Sequence, residues 1–103
     1  MVEVFDKKFN SVLIEADKKF ERKKKEYGDS WLHMPFKELR KRLYNEYQEW
    51  MFDCDSEAQE LEELIDIINI SLMLGKRIQI EYTKQKIIMD TNTEEAIRER
   101  ENA

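Results

Sequence analysis

The chain has 103 residues, 40% of them charged, with a formal net charge of −5, two glycines, one proline and one cysteine. That length bounds it to one domain, residues 1–103, near the small end for an independent core, and so few glycines and prolines favour long helices over strands and turns. The acidic balance argues against a primary role on nucleic acid or an anionic membrane, both of which need a basic surface, but not against a nucleotide bound through metal ions.

The lone Cys54 cannot form an internal disulfide and fits a reduced, cytoplasmic compartment. The first residues, "MVEVFDKKF", lack a signal-peptide core. No apolar run approaches the ~20 residues that span a bilayer.

Residues 3–27 place Phe5, Phe9, Val12, Leu13, Ala16 and Phe20 at helical intervals, and Gly28 is suited to close that helix. A second helix is predicted from about Pro35, with Phe36, Leu39, Leu43, Tyr47 and Trp50 along one stripe. "DCDS" at 53–56 breaks it, and Asp55 or Ser56 is the expected N-cap of a third helix. That helix runs from about Glu57 to at least Leu74, extending toward Tyr82. After "IIMDTNT" the segment 94–101 reads as a short last helix or a frayed end, so about 84–103 stands apart. Short connections imply antiparallel neighbours. The expected fold is an all-α antiparallel helical bundle, its four-helix core completed by oligomerisation.

Two acid pairs carry the chemical signal. Glu46 and Glu49 lie one turn apart at the edge of the second helix's apolar stripe. Glu63 and Asp66 lie on the third helix, which is apolar on both sides: Leu61, Leu64, Ile65, Ile68 and Leu72 on one, Ile67, Ile70, Met73 and Leu74 on the other. Buried acids are rare unless paired or bound to metal. Glu62 and Glu63 alone would pass as first-turn acids favoured by the helix dipole. Asp66, flanked by Ile65 and Ile67, does not. Four carboxylates facing across a hairpin repel and raise one another's pKa. A hard divalent cation is the usual remedy, and oxygen ligands suit magnesium or manganese, which keep positions open to phosphate. Neutralising Glu63 or Asp66 is then expected to leave the metal-free protein at least as stable as the parent.

The pattern reads Glu46-x-x-Glu49, thirteen intervening residues, then Glu63-x-x-Asp66-x-x-Asn69, within "YGDSWLHMPFKELRKRLYNEYQEW" and "EELIDIINISLML". It resembles the MazG-like, all-α nucleoside triphosphate pyrophosphohydrolases over about residues 20–75. There is one departure: Asn45 stands where that family usually opens its first motif with a further glutamate. The resemblance implies that Glu46, Glu49, Glu63 and Asp66 are the catalytic and metal-binding residues, holding Mg2+ or Mn2+ that grips the triphosphate. Water would attack the α-phosphorus, releasing pyrophosphate and leaving the monophosphate. Asn69 would hydrogen-bond the nucleoside; its plainer reading is a polar residue satisfied by a neighbouring helix.

In the basic run "KKFERKKKEYGDSW", Lys18, Arg22 and Lys25 share one side and either reach the triphosphate or form a solvated face. Trp31 either stacks on a base or plugs a loop. His33 and Cys54 are assigned no chemistry. There is no glycine-rich phosphate loop, and a single histidine excludes the Glu-x-x-His pairs of a di-iron bundle. Because Ile67, Ile70 and Met73 need a partner surface, a homodimer is the minimum expectation, and the resemblance allows a dimer of dimers. The alternative from another class is a non-catalytic helical oligomerisation module.

Overall fold

A computed structural model describes the backbone of residues 6–101 and the side chains of residues 6–89. Among the described residues there is no strand. Three helices follow in order: α1 (Asn10–Tyr27), α2 (Phe36–Phe52) and α3 (Glu57–Glu101), with single 3-10 turns at Lys7–Phe9 and Ser30–Leu32. The fold is all-α, and within one chain it has three long helices.

Local chemistry sets most of the boundaries. The expected start at residue 3 and Phe5 lie outside the described residues. The 3-10 turn that leads into α1 is capped by Asp6, whose carboxylate accepts from the Lys8 N–H at 3.0 Å. α1 ends where Gly28 takes φ 62°, a backbone angle that other residues rarely adopt, and its N–H returns to Lys24 O at 2.8 Å. Pro35 sits one residue before α2, and its carbonyl accepts from the Glu38 and Leu39 N–H groups. At the head of α3, Ser56 Oγ accepts from the Gln59 N–H at 3.2 Å, while Gln59 Oε1 accepts from the Asp55 N–H at 2.7 Å. Ser56 is thus the N-cap, and Gln59 reaches back one residue beyond it, to the Asp55 N–H.

α3 differs from the expectation. It is a single helix of 45 residues, about 67 Å at 1.5 Å per residue. "IIMDTNT" does not interrupt it, and 94–101 is its last part rather than a separate helix. The reason is energetic: the segment contains no proline, and its Asp, Asn and Thr residues each cost well under ~1 kcal/mol in a helix. Gly75 is likewise carried in the helix, with open space around the position of a Cβ.

α2 and α3 are antiparallel. Near the hairpin Glu46 approaches Glu63. At the far end the Arg77 guanidinium lies 4.2 Å from the Phe36 ring centroid and donates to the carbonyls of Trp31 and Met34. Arg77 thus fastens α3 to the turn that precedes α2. α1 packs on the first half of α3, where Asn69 Nδ2 donates to Ala16 O at 3.0 Å. Ala16, Leu39, Ile65 and Leu74 form the buried core, with Leu39 wholly enclosed.

The surplus apolar surface is not where the sequence suggests. Ile67, Ile70 and Met73 are half-buried, and Ile70 and Met73 lie beside Phe20 and Tyr27 of α1 and Arg42 of α2. Leu61 and Leu64 are exposed on the opposite side of α3, and Leu72 is 64% exposed. Tyr44, Tyr47 and Met51 of α2 are exposed as well. Among the described residues no helix is long and apolar enough to cross a membrane.

Candidate metal centre

The antiparallel hairpin brings the acids together. On α2, Leu39, Leu43, Glu46 and Trp50 recur about once per turn, so the contact that buries Leu39 also carries Glu46 toward α3. On α3, Glu63 faces α2, and Asp66 lies between α2 and α1. Carboxylate oxygens of Glu46, Glu63 and Asp66 lie within 4.8 Å of one another. Glu46 Oε2 and Glu63 Oε2 are closed off from solvent and have no hydrogen-bond partner. The Asp66 side chain is 12% exposed. Glu49 is outside this trio, on an exposed rim where it lines an acidic hollow with Asp53, Cys54, Glu62 and Glu63.

The electrostatics follow from that crowding. Burial, then the short contact with Glu63, then the charges of Asp66 and Glu49 push Glu46 up to about 8. Glu49 is also raised, by local desolvation first and next by the charge of Glu63. Two carboxylates in contact offer only acceptors. A proton or a shared cation must sit between them.

α1 supplies the countercharge, through lysines other than those the basic run suggests. Lys19 Nζ lies 2.8 Å from Glu62 Oε2 and 2.8 Å from Asp66 Oδ1, and Lys23 Nζ lies 3.3 Å from the same Asp66 oxygen. Burial pulls the Lys19 ammonium down, but Asp66 and Glu62 outweigh it and hold the pKa above its usual value. Lys19 in turn lowers Glu62. By contrast Lys18, Arg22 and Lys25 line an outward hollow with Glu15, Asp17 and Glu21, and Lys18 pairs with Glu15 at 3.5 Å. The helical period explains the difference. Lys19 and Lys23 continue the line of Val12 and Ala16 toward α3, whereas Lys18, Arg22 and Lys25 fall on the other side. That signal is legible in the sequence and is masked by the density of lysines around it.

Asn69 is buried, and its amide already donates to Ala16 O, the neighbouring-helix role. It also borders two clefts. One, of about 90 Å³, is lined by Phe20, Lys23, Tyr27, Trp31, Arg42 and Asp66 among others. The second, more apolar and about 300 Å³, lies between α1 and α3 beside Leu13, Ile68 and Leu72. Trp31 borders both, and its indole N–H is buried without a partner. Tyr27 and Arg42 join this surface from outside any acid motif, so spacing alone does not single them out.

The donor set suits a hard divalent cation: three clustered carboxylates, two with an enclosed and unpaired oxygen, beside a cleft rimmed by Lys23 and Arg42. The fold and site define an all-α chain with a carboxylate cluster held across a helical hairpin. The chain matches no known family profile, no curated protein and no solved structure.

Proposed function

We propose that the chain is a metal-dependent nucleoside triphosphate pyrophosphohydrolase of the MazG-like kind, acting in nucleotide-pool house-cleaning or balancing. The observation that carries this reading is the pair of enclosed, unpartnered oxygens on Glu46 and Glu63 beside Asp66. Holding two buried carboxyls in contact has a cost, seen in the raised pKa of Glu46, that a purely structural hairpin would avoid by carrying leucines there. The motif resemblance supplies the reaction class.

In this reading Glu46, Glu63 and Asp66 hold magnesium or manganese, with Glu49 completing the set from the rim. The bound cation would supply charge neutralisation for the triphosphate and for the departing pyrophosphate. Lys23 and Arg42 attract the phosphates into the adjoining cleft, and Tyr27 or Trp31 offers an aromatic face to the base. The Asn69 amide nitrogen is occupied, so its oxygen is the atom left to accept from the nucleoside. A water oriented by the cation or by one of these carboxylates would attack the α-phosphorus. The water oxygen bonds to that phosphorus, the bond from it to the bridging oxygen breaks, and monophosphate and pyrophosphate separate.

A homodimer or a dimer of dimers accompanies the enzyme, and the exposed Leu61, Leu64 and Leu72 favour it. The same leucines are what favours the second reading, a helical oligomerisation module without catalysis. A panel of ribo- and deoxynucleoside triphosphates, assayed for pyrophosphate release with magnesium, manganese or chelator, separates the two. The enzyme releases pyrophosphate from at least one nucleotide only when metal is present. No release from any nucleotide leaves the module reading.

A further inference from the structure

We infer that Lys19 is a tethered cation that occupies Asp66 in the metal-free chain and has to leave it before a divalent ion can use that oxygen, so that Lys19 sets the metal affinity of the site. The inference rests on the reading of Glu46, Glu63 and Asp66 as metal ligands, and it concerns a residue on a different helix from any of them.

The geometry distinguishes Lys19 from the other basic residues of α1. Its ammonium bridges two carboxylates, with both contacts at 2.8 Å, and its side chain is only 15% exposed. Lys18 shows the contrast: 65% exposed, it pairs locally with Glu15 at 3.5 Å. Asp66 is the member of the trio held in ion pairs, to Lys19 and Lys23, while Glu46 and Glu63 each keep an enclosed oxygen with no basic partner. The chain therefore supplies part of the positive charge that the cluster calls for. A doubly charged ion bound to Asp66 Oδ1 would stand beside an ammonium 2.8 Å from the same atom. Two cations sharing one oxygen stand only a few ångströms apart, where like charges repel each other strongly.

Release needs no movement of a helix. Lysine carries its charge on a flexible four-carbon stem, and Lys19 keeps Glu62 as a partner when it leaves Asp66. A polyphosphate arriving in the cleft beside Lys23 offers the freed ammonium another anion. Metal and phosphate then assist each other's binding, because each rewards the same displacement.

Manganese alone, titrated into the full nucleotide-free chain and followed by the spin resonance of free Mn2+, tests this. Removing the competing charge with Lys19→Gln should tighten Mn2+ binding about tenfold, within the usual range of coupling between sites. Lys19→Arg, which keeps the charge, should bind as the parent does. Lys23→Gln should give a smaller gain, since its contact is longer and its side chain half exposed; it serves in place of Lys19→Gln if the latter loses its helical circular dichroism. Glu63→Gln marks the site and should abolish binding. Saturable, Glu63-dependent binding in the parent with no tightening in the lysine-to-glutamine variants overturns the role of Lys19 and leaves the metal site standing. No Glu63-dependent binding in any variant overturns both.

Discussion

Glu46 and Glu63 meet across the α2–α3 hairpin, each with an Oε2 atom shut away from solvent and without a partner. The contact is made by the fold rather than by local spacing, because 16 residues separate the two in the chain. Leu39 on α2 and Leu74 on α3 are both buried, and Glu46 and Glu63 follow them on the same helical faces toward the hairpin, so the packing that buries the leucines brings the acids together.

The first consequence is a pH dependence. Glu46 titrates at about 8 in the folded chain, against 4.5 for an unperturbed glutamate. Between those values the folded state binds more protons than the unfolded state, so stability falls as pH rises and is lost as pH passes through about 8. Glu49, also raised, acts in the same direction. Melting temperatures in chelator should decline from pH 5.5 to pH 8.5, and Glu46→Gln should flatten that slope. A slope unchanged in the variant would assign the dependence to other groups.

Amide substitutions should split the trio. Glu63→Gln supplies an N–H donor to the enclosed Glu46 oxygen and removes a repulsion. The metal-free variant should be as stable as the parent or more so, by ~1 kcal/mol, the scale of one pKa unit. Asp66→Asn differs, because it strips Lys19 of a partner in a largely shielded place. It should destabilise the metal-free chain by ~1–3 kcal/mol, the cost of leaving a shielded polar group unpaired. The sequence-based expectation that either substitution is harmless is therefore revised for Asp66. Chemical denaturation in chelator checks both, and equal losses in the two variants would refute the assignment of Lys19 to Asp66.

This revision shows what was legible in the sequence. The three helices, the Gly28 end and the Ser56 cap follow from short-range rules, and they appear close to where the residues place them. The approach of Glu46, Glu63 and Asp66 was legible because a short hairpin imposes antiparallel packing. Two features were not. The continuity of α3 through "IIMDTNT" rests on many small propensities with no proline to decide against them. The pairing of Lys19 rather than Lys18 with the acids depends on the rotational setting of α1 against α3, and that is fixed by Ala16 and Asn69 meeting across the two helices.

Self-association should involve the exposed leucines of α3. Leu72 is 64% exposed, and burying a leucine is worth ~1.5–3 kcal/mol. The parent should sediment as a dimer or a larger species at micromolar concentration, and Leu72→Glu should shift it toward monomer with its helical content kept. A well-folded parent monomer at that concentration would contradict the oligomer.

The most direct measurement is pyrophosphate release from the nucleotide panel by the parent and by Glu63→Gln, each with millimolar magnesium and with chelator. Release by the parent is expected only with magnesium, with a loss of at least a hundredfold, about 2.7 kcal/mol of transition-state stabilisation, in Glu63→Gln at unchanged helical content. Undiminished, metal-dependent release by Glu63→Gln would contradict it, and so would a parent that releases none under any condition.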